Sequence, residues 1–152
     1  MDKYDRLILT ALIEDGRLSF AELARRVNLS PPAVAERVAK LESSGVISGY
    51  QANVDVSKLG LPIECMIELR IATHQSHSSL AALERFPELT SCYRVTGDAC
   101  VIMHAAVASM NELQSLIDRL SEYGASKTSI ILSTPFNGRV PTSLLQPGNG
   151  QH

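Results

Sequence analysis

Residues 19–47 read SFAELARRVNLSPPAVAERVAKLESSGVI, and this stretch holds two short helical patterns separated by a tight break. Ser19 and Glu22 have the spacing of a capping box, in which the serine caps the first turn and the glutamate returns to the cap amide. A helix is therefore predicted to begin at Ser19. Asn28 tolerates the left-handed conformation that ends helices, and Ser30 followed by two prolines predicts the start of a second helix.

The second helix carries one apolar stripe, because its apolar residues recur at helical spacing and so share a buried face. These residues are Val34, Val38 and Leu41, and Val27 and Leu29 are placed to close the same small core. Two short helices around a tight turn are typical of a helix-turn-helix. Residues 46–54 then alternate in polarity, which predicts an extended wing or linking strand.

The opposite face of the second helix is small, polar and positively charged, and two arginines end the preceding helix. Since the amino end of a helix attracts phosphate, the pattern suits the major groove of double-stranded DNA. Arg37 is the first candidate, because it lies one turn inside the helix and away from the stripe. The candidate DNA contacts are Arg25, Arg26, Ser30, Pro32, Ala33, Glu36, Arg37 and Lys40. A surface hairpin with solvated charges, in which Ser30 only caps its helix, is the alternative.

Composition indicates one folded domain or two small ones, since the chain has 152 residues of which 45% are hydrophobic. The formal net charge of −2 excludes a general polyanion binder, so DNA binding must come from locally placed charge. A neutral module gains affinity from a second copy, which predicts a dimer. The longest apolar stretch, residues 99–108, is too short to cross a bilayer, so a cytoplasmic protein without membrane contact is predicted.

Catalytic and metal sites are not indicated by the sequence. Cys65, Cys92 and Cys100 are an odd number without a Cys-x-x-Cys pair, which favours small buried residues in a reducing compartment over disulfide or metal roles. His74 and His77 have a ligand-like spacing but lack nearby acidic or thiol partners, so solvated loop histidines are expected. Without an activated nucleophile or a glycine-rich phosphate loop, we expect no enzyme and no cofactor.

The N-terminal residues 2–14 predict a helix that supports the two others. Its apolar stripe is Tyr4, Leu7, Ile8, Ala11 and Leu12, and Gly16 is expected at positive φ after the end of the helix.

The second half of the chain changes to a period of two at residues 61–72, which predicts a half-buried strand. A helix capped by Ser78 or Ser79 and stopped by Pro87 follows. Strands at 89–96 and 100–107 are joined by a Gly97-Asp98 turn. A capping box of Ser109 and Glu112 then begins a helix that Tyr123 and Gly124 close, and residues 128–134 form a fourth strand.

The resulting order of elements is βαββαβ, which predicts an α+β protein with a ferredoxin-like antiparallel sheet and both helices on one face. Met66 and Ile102 lie on the other face, which we expect a second subunit to cover. The predicted domains are a helix-turn-helix at 1–52, a linker at 53–60, an effector-binding and oligomerisation domain at 61–139, and a disordered tail at 140–152.

This arrangement resembles the Lrp/AsnC, or feast/famine, family of transcriptional regulators over residues 2–139. The matching residues are Asp2-x-x-Asp5-Arg6-x-Ile8-Leu9, Asp15-Gly16-Arg17, Leu29-Ser30-x-x-x-Val34-x-x-Arg37-Val38-x-x-Leu41-Glu42-x-x-Gly45-Val46-Ile47-x-Gly49-Tyr50 and Val95-Thr96-Gly97-Asp98. The resemblance implies a homodimer that assembles further to an octamer, binds pseudo-palindromic promoter DNA and senses amino acids.

The resemblance also implies an effector site at contacts between dimers, where turn N–H groups hold a carboxylate and an aspartate pairs with an ammonium group. The matching positions are Thr96, Gly97, Asp98, Ala99 and Cys100, with Ser129 opposite. Many members have an acidic residue followed by an aromatic one where this chain has Cys100-Val101, so the effector could be more apolar, of another class or absent. On turn chemistry alone, Gly97-Asp98 is an ordinary hairpin turn.

An effector-independent DNA-organising protein and a regulatory subunit of a metabolic enzyme are the alternative functions.

Overall fold

A computed structural model of the chain describes residues 1–71, 76–97, 101–141 and 145. The chain divides into two compact units. Met1–Ala52 and Phe136–His152 form the first, called here the helix-turn-helix unit, and Asn53–Pro135 form the second, called the sheet unit. The predicted linker at 53–60 is grouped with the sheet unit and includes a short 3-10 helix, Val56–Leu59. Most of the predicted disordered tail, residues 142–144 and 146–152, lies outside the described residues.

The helix-turn-helix unit contains three helices: α1 (Lys3–Glu14), α2 (Phe20–Val27) and α3 (Pro31–Ser43). Ser19 caps α2, and both bonds of the capping box with Glu22 are present, so that prediction is confirmed. Asn28 ends α2 with a φ of 61°, in the left-handed conformation. Ser30 caps α3 as predicted, with its hydroxyl accepting the Ala33 N–H.

The core of this unit confirms the predicted stripe of α3, because Val34, Val38 and Leu41 are all buried. Val27 is buried beside them and Leu29 is partly buried. The stripe predicted for α1 is partly wrong. Its buried residues are Ile8, Leu9 and Ala11, whereas Tyr4 and Leu7 are both 38% exposed. Gly16 is absent from the residues with positive φ, because α1 ends on an extended Asp15.

The predicted strand at 46–54 is wrong, since residues 44–62 are all described and contain no strand. Ile47 instead donates its N–H to the Leu41 carbonyl and packs its side chain against the helical core. Tyr50 donates its hydroxyl to Glu42 on α3. An alternating sequence forms a strand only when it finds a pairing partner, and these contacts hold the segment against helices.

The sheet unit confirms the predicted βαββαβ order. Its elements are β1 (Ile63–Ile71), α4 (Ser76–Leu83), β2 (Leu89–Arg94), β3 (Val101–Val107), α5 (Met110–Leu120) and β4 (Gly124–Ile130). The four strands form one antiparallel sheet in the order β2-β3-β1-β4, which is the ferredoxin-like arrangement. β2 and β4 are therefore the edge strands.

Both helices cover the same face of this sheet, as predicted. Cys65, Ile67 and Leu69 of β1 alternate into one core with Met103 of β3, and Leu83 of α4 and Leu113, Leu116 and Leu120 of α5 pack against them. The outer face carries the partly buried Met66 and Ile102, and His104 lies directly across from Met66 in the register. Side chains on this face are mixed in polarity, with Glu68 and Lys127 paired 3.5 Å apart.

Three local predictions in the sheet unit are wrong. α4 begins at Ser76, so neither Ser78 nor Ser79 caps it. At α5 the Ser109 hydroxyl accepts a hydrogen bond from the Glu112 N–H, as a capping box requires. The Glu112 carboxylate, however, accepts from the N–H of Ala108, the residue before the cap, and not from Ser109. The helix ends at Leu120, before Tyr123 and Gly124. β4 begins at Gly124, four residues earlier than predicted, because only a glycine permits the close pairing with β1 there.

The described cysteines differ in burial, although all three were predicted to be buried. Cys65 is buried as predicted, but Cys92 on the edge strand β2 is exposed, and Cys100 lies outside the described residues. Within the described ranges, no helix combines the length and the apolar character needed to cross a bilayer.

Candidate nucleic-acid interface and effector region

The exposed side of α3 carries most of the residues predicted to contact DNA. Pro32, Glu36 and Lys40 are exposed there and Ala33 is half-buried, while the buried stripe fixes the opposite side of the helix. Arg25 and Arg26 are exposed in the last turn of α2. Arg26 lies 3.5 Å from the carboxylate of Glu14, but both side chains are about half exposed or more, so this pair contributes little to stability. The arrangement presents small and charged side chains without a covering element from its own unit.

The first turn of α3 differs from the expected anion site. Pro31 and Pro32 have no N–H groups, and the N–H of Ala33 is donated to the hydroxyl of Ser30 at 3.4 Å. The N–H of Val34 is bonded to the Ser30 carbonyl. The amino end of α3 therefore keeps its helix dipole but offers none of its first four N–H groups freely to a phosphate.

Arg37 is held against α1 and not on the exposed side of α3. Its Nη1 atom donates to Asp2 Oδ2 and to Asp5 Oδ1, both at 2.7 Å, and its guanidinium lies 5.4 Å from the centroid of the Tyr4 ring. Asp2 is also the N-cap of α1 and forms a full capping box with Asp5. We call the group Asp2, Asp5 and Arg37 the α1–α3 clamp.

The electrostatics of the clamp favour its charged form. The Asp5 N–H first, and the Arg37 guanidinium second, lower the pKa of the Asp2 carboxyl below its ordinary value. The hydrogen bonds that the Arg37 guanidinium donates to Asp2 first, and to Asp5 second, raise the pKa of Arg37. The sequence analysis missed Asp2 and Asp5 as partners of Arg37, because the two carboxylates lie 35 and 32 residues away in the chain. The Asp2-x-x-Asp5 spacing was the available signal, but it indicates only the cap.

Only three of the predicted effector residues, Thr96, Gly97 and Ser129, are described, and they lie at the two opposite edges of the sheet. Thr96 and Gly97 follow the edge strand β2, and Gly97 has a φ of 100°, as a turn requires. Ser129 lies on β4, the opposite edge, where it pairs with Met66. Three strand spacings separate the two edges by roughly 14 Å. Asp98, Ala99 and Cys100 lie outside the described residues.

A groove that the sequence analysis did not foresee lies between α4 and the edge strand β2. It has a volume of about 360 Å³ and a wall of Leu80, Leu83 and Phe86, with Glu84 and Arg94 adding opposite charges. Burial first, and the Glu84 carboxylate second, raise the pKa of the Cys92 thiol, so the neutral thiol is the form at neutral pH.

Metal ligands are not grouped in the part of the chain that the structure describes, where no three His, Cys, Asp or Glu side chains could hold an ion together. His77 belongs to α4 and not to a loop, while His74 lies outside the described residues.

Two family models match the chain. One, for the AsnC-type helix-turn-helix domain, matches residues 1–42, and the other, for the Lrp/AsnC ligand binding domain, matches residues 64–141. The first match includes all three helices of the helix-turn-helix unit up to residue 42, and the second includes all four strands of the sheet except Ile63, the first residue of β1.

Curated relatives match over nearly their full length. The HTH-type transcriptional regulator LrpC of Bacillus subtilis (strain 168) is 36% identical over 133 residues, which cover 88% of this chain and 92% of that protein. The regulatory protein AsnC of Escherichia coli (strain K12) is 31% identical over 141 residues, covering 90% and 93%.

Solved structures share the fold. The structure of B. subtilis LrpC superimposes with a TM-score of 0.86 at 35% identity, covering 91% of this chain and 99% of LrpC. A complex of the transcriptional regulator NMB0573 with L-Met, from Neisseria meningitidis, gives a TM-score of 0.87 at 28% identity and covers 95% of this chain and 99% of that one.

Proposed function

The chain belongs to the Lrp/AsnC family of transcriptional regulators, and from that premise we propose that α3 is the helix with which it reads promoter DNA. The observation that carries this proposal is the division of α3 into two sides. Val34, Val38 and Leu41 anchor the helix in its own core, and Pro32, Ala33, Glu36 and Lys40 remain uncovered. A helix fixed on one side and open on the other has the geometry required to enter a major groove.

Within this proposal the residues have separate roles. Ala33 is small enough for α3 to approach base edges closely, and Glu36 lies beside it to accept from a base amino group. Lys40, Arg25 and Arg26 neutralise phosphates on either side of the groove. Arg37 does not contact a base; through the α1–α3 clamp it fixes the angle of α3 against α1.

We expect the substitution Lys40→Ala to weaken promoter binding for all sequences equally, because a phosphate contact carries no base information. The slope of log affinity against log salt concentration should become shallower by about 0.9 for each subunit in contact with the DNA, or about 1.8 for a homodimer, because each copy loses one phosphate contact. Fluorescence anisotropy with a labelled promoter at several salt concentrations measures both quantities.

Lys58→Ala is the matched control, since Lys58 is an exposed lysine in the 3-10 helix of the sheet unit. Equal slopes for the two variants would contradict the placement of Lys40 at the phosphates.

We further propose that the protein works as a homodimer that assembles to an octamer. The outer face of the sheet supports this, because Tyr93 is 56% exposed and its ring meets the ring of His104 at 6.3 Å, beside Met66 and Ile102. A face with two aromatic rings and two large apolar side chains is suited to packing against a second copy of itself.

The effector proposed here is an amino acid with an apolar side chain, bound between subunits. Support comes from the L-Met complex of the structural neighbour and from the opposite-edge positions of Gly97 and Ser129, which two copies can bring together where one cannot. The Cys100-Val101 pair supports an apolar ligand, because it lacks the second acidic side chain.

Titration with each of the twenty amino acids tests sensing. We expect at least one apolar amino acid to change promoter affinity severalfold, within the usual range of allosteric coupling, and to change the assembly size by light scattering. If none of the twenty changes either quantity, the proposal of amino-acid sensing is wrong.

A further inference from the structure

The end of the chain contributes to the helix-turn-helix unit. Leu145 is partly buried and packs against the core formed by α1, α2 and α3, although it lies four residues beyond the match to the ligand-binding domain. Val140 and Pro141 lie against the same unit. We propose that Val140, Pro141 and Leu145, called here the C-terminal clasp, dock on this surface and hold the DNA-reading unit in its active shape.

The surface that receives the clasp is apolar. Leu9, Leu12 and Ile13 of α1 form one wall, and Val46, Ile47 and Tyr50 form the other, around a cavity of about 370 Å³. Ile13 and Val46 are 45% and 52% exposed even with the clasp in place. Without the clasp this surface would lose its apolar cover, which is unfavourable in water.

Leu145 also lines a second cavity, nearer the start of α1. Together with Lys3, Arg6 and Leu7 it encloses this small cavity of about 20 Å³. The leucine therefore faces α1 at both cavities. None of these contacts involves a residue that we place at the DNA, so clasp and promoter do not compete for the same side chains.

The occupant that we propose is a segment of the same chain, because Val140, Pro141 and Leu145 line the cavity together with α1. The residues from Phe136 onward are grouped with the helix-turn-helix unit of the same chain. A segment that is covalently attached is present at a high effective concentration, so even a few apolar contacts suffice to keep it docked.

The clasp acts on DNA binding through α1. This helix carries Asp2 and Asp5, which hold Arg37 of α3. A looser α1 would loosen the α1–α3 clamp and with it the angle of α3. The DNA part of this inference rests on the proposed role of α3, whereas the docking itself does not.

The test compares two serine substitutions in the full-length chain. Leu145→Ser should lower the midpoint of thermal unfolding by about 4 °C and weaken promoter binding severalfold. Leu132→Ser is the matched control, because Leu132 is 95% exposed, and it should change neither quantity. Leu145→Met, which keeps an apolar side chain of similar volume, should stay close to the unsubstituted chain.

The unfolding midpoint is measured without DNA, so it reports on docking even if α3 does not read the promoter. Equal midpoints for Leu145→Ser and Leu132→Ser would overturn the proposal. So would a difference between the two that disappears when the protein is diluted, because a clasp supplied by a second copy depends on concentration and one from the same chain does not.

Discussion

Replacing Gly124 with alanine is expected to lower the free energy of unfolding of the sheet unit by about 4 kcal/mol, an exceptional loss for one methyl group. Gly124 opens β4 opposite Ile71 of β1 and has a φ of 155°. A Cβ atom at this position would lie 1.9 Å from the Arg70 carbonyl oxygen and 2.8 Å from its carbon. Both are main-chain atoms, so the methyl group is accommodated only if β1 and β4 separate at this end.

The control for this substitution is Gly60→Ala, which keeps the backbone strain and removes the clash. Gly60 has a φ of 90°, but a Cβ there would meet nothing within 4 Å. We expect a loss of about 1 kcal/mol for the strained backbone alone. Chemical unfolding followed by far-UV circular dichroism measures both variants. Similar losses for the two would show that strain, and not the approach of β1, requires Gly124.

The second large effect concerns the α1–α3 clamp. Asp5→Ala removes a negative charge from a DNA-binding unit, and on charge alone the variant would bind DNA more tightly. We expect the opposite, a roughly tenfold loss of promoter affinity, comparable to losing one base contact. The reason is that the Asp5 carboxylate accepts hydrogen bonds from both the Arg37 guanidinium and the Asp2 N–H. Without this carboxylate, α3 is free to change its angle relative to α1.

The control is Asp15→Ala, which makes the same change of charge in the same unit. Asp15 is exposed, and its carboxylate accepts from the nearby Arg17 N–H. We expect this variant to bind the promoter as well as the unsubstituted chain or slightly better. Tighter binding by Asp5→Ala would mean that Asp5 acts only through its charge.

The clamp also has a defined pH dependence. The pKa of Asp2 is lowered in the folded protein, so the stabilisation that it supplies is complete above the ordinary pKa of 3.8. It is lost as the pH falls through the lowered value. Acid unfolding of Arg37→Ala should therefore lose only the part of the Asp2 contribution that Arg37 supplies, while the larger part, which the Asp5 N–H supplies, should remain.

Local chemistry made the starts of α2 and α3 predictable from the sequence. The cap at Ser19 and the box with Glu22 involve residues three apart, and the cap at Ser30 precedes two prolines, so both could be read without tertiary information. The period-two pattern of β1 was equally local, because its alternate residues face one core whatever strand pairs with it.

The sequence could not predict the features that depend on distant partners. Arg37 was assigned to the open side of α3 by helical spacing, but two carboxylates more than thirty residues away bind it. Residues 46–54 alternate like a strand, yet the contact of Ile47 with Leu41 and of Tyr50 with Glu42 holds them against α3. In both cases the conformation depends on a contact with residues outside the short stretch of sequence from which the prediction was made.

The effector region was predicted at contacts between copies, which the structure of one subunit does not test. Thr96 and Gly97 were grouped with Ser129 because the resemblance implied one site. The strand order β2-β3-β1-β4, which is the ferredoxin-like arrangement predicted from the order of elements, puts them on opposite edges of one subunit. Their meeting between copies stays a prediction.

The two prolines that open α3 have a consequence for how this regulator could change its target over evolution. Because the first turn of α3 has no free backbone N–H group, its main chain cannot donate hydrogen bonds to the DNA backbone at that point. DNA recognition at this turn therefore depends on side chains, which can be substituted without changing the backbone of α3. A descendant could thus acquire a new operator by exchanging a few surface residues, with the fold beneath them unaltered.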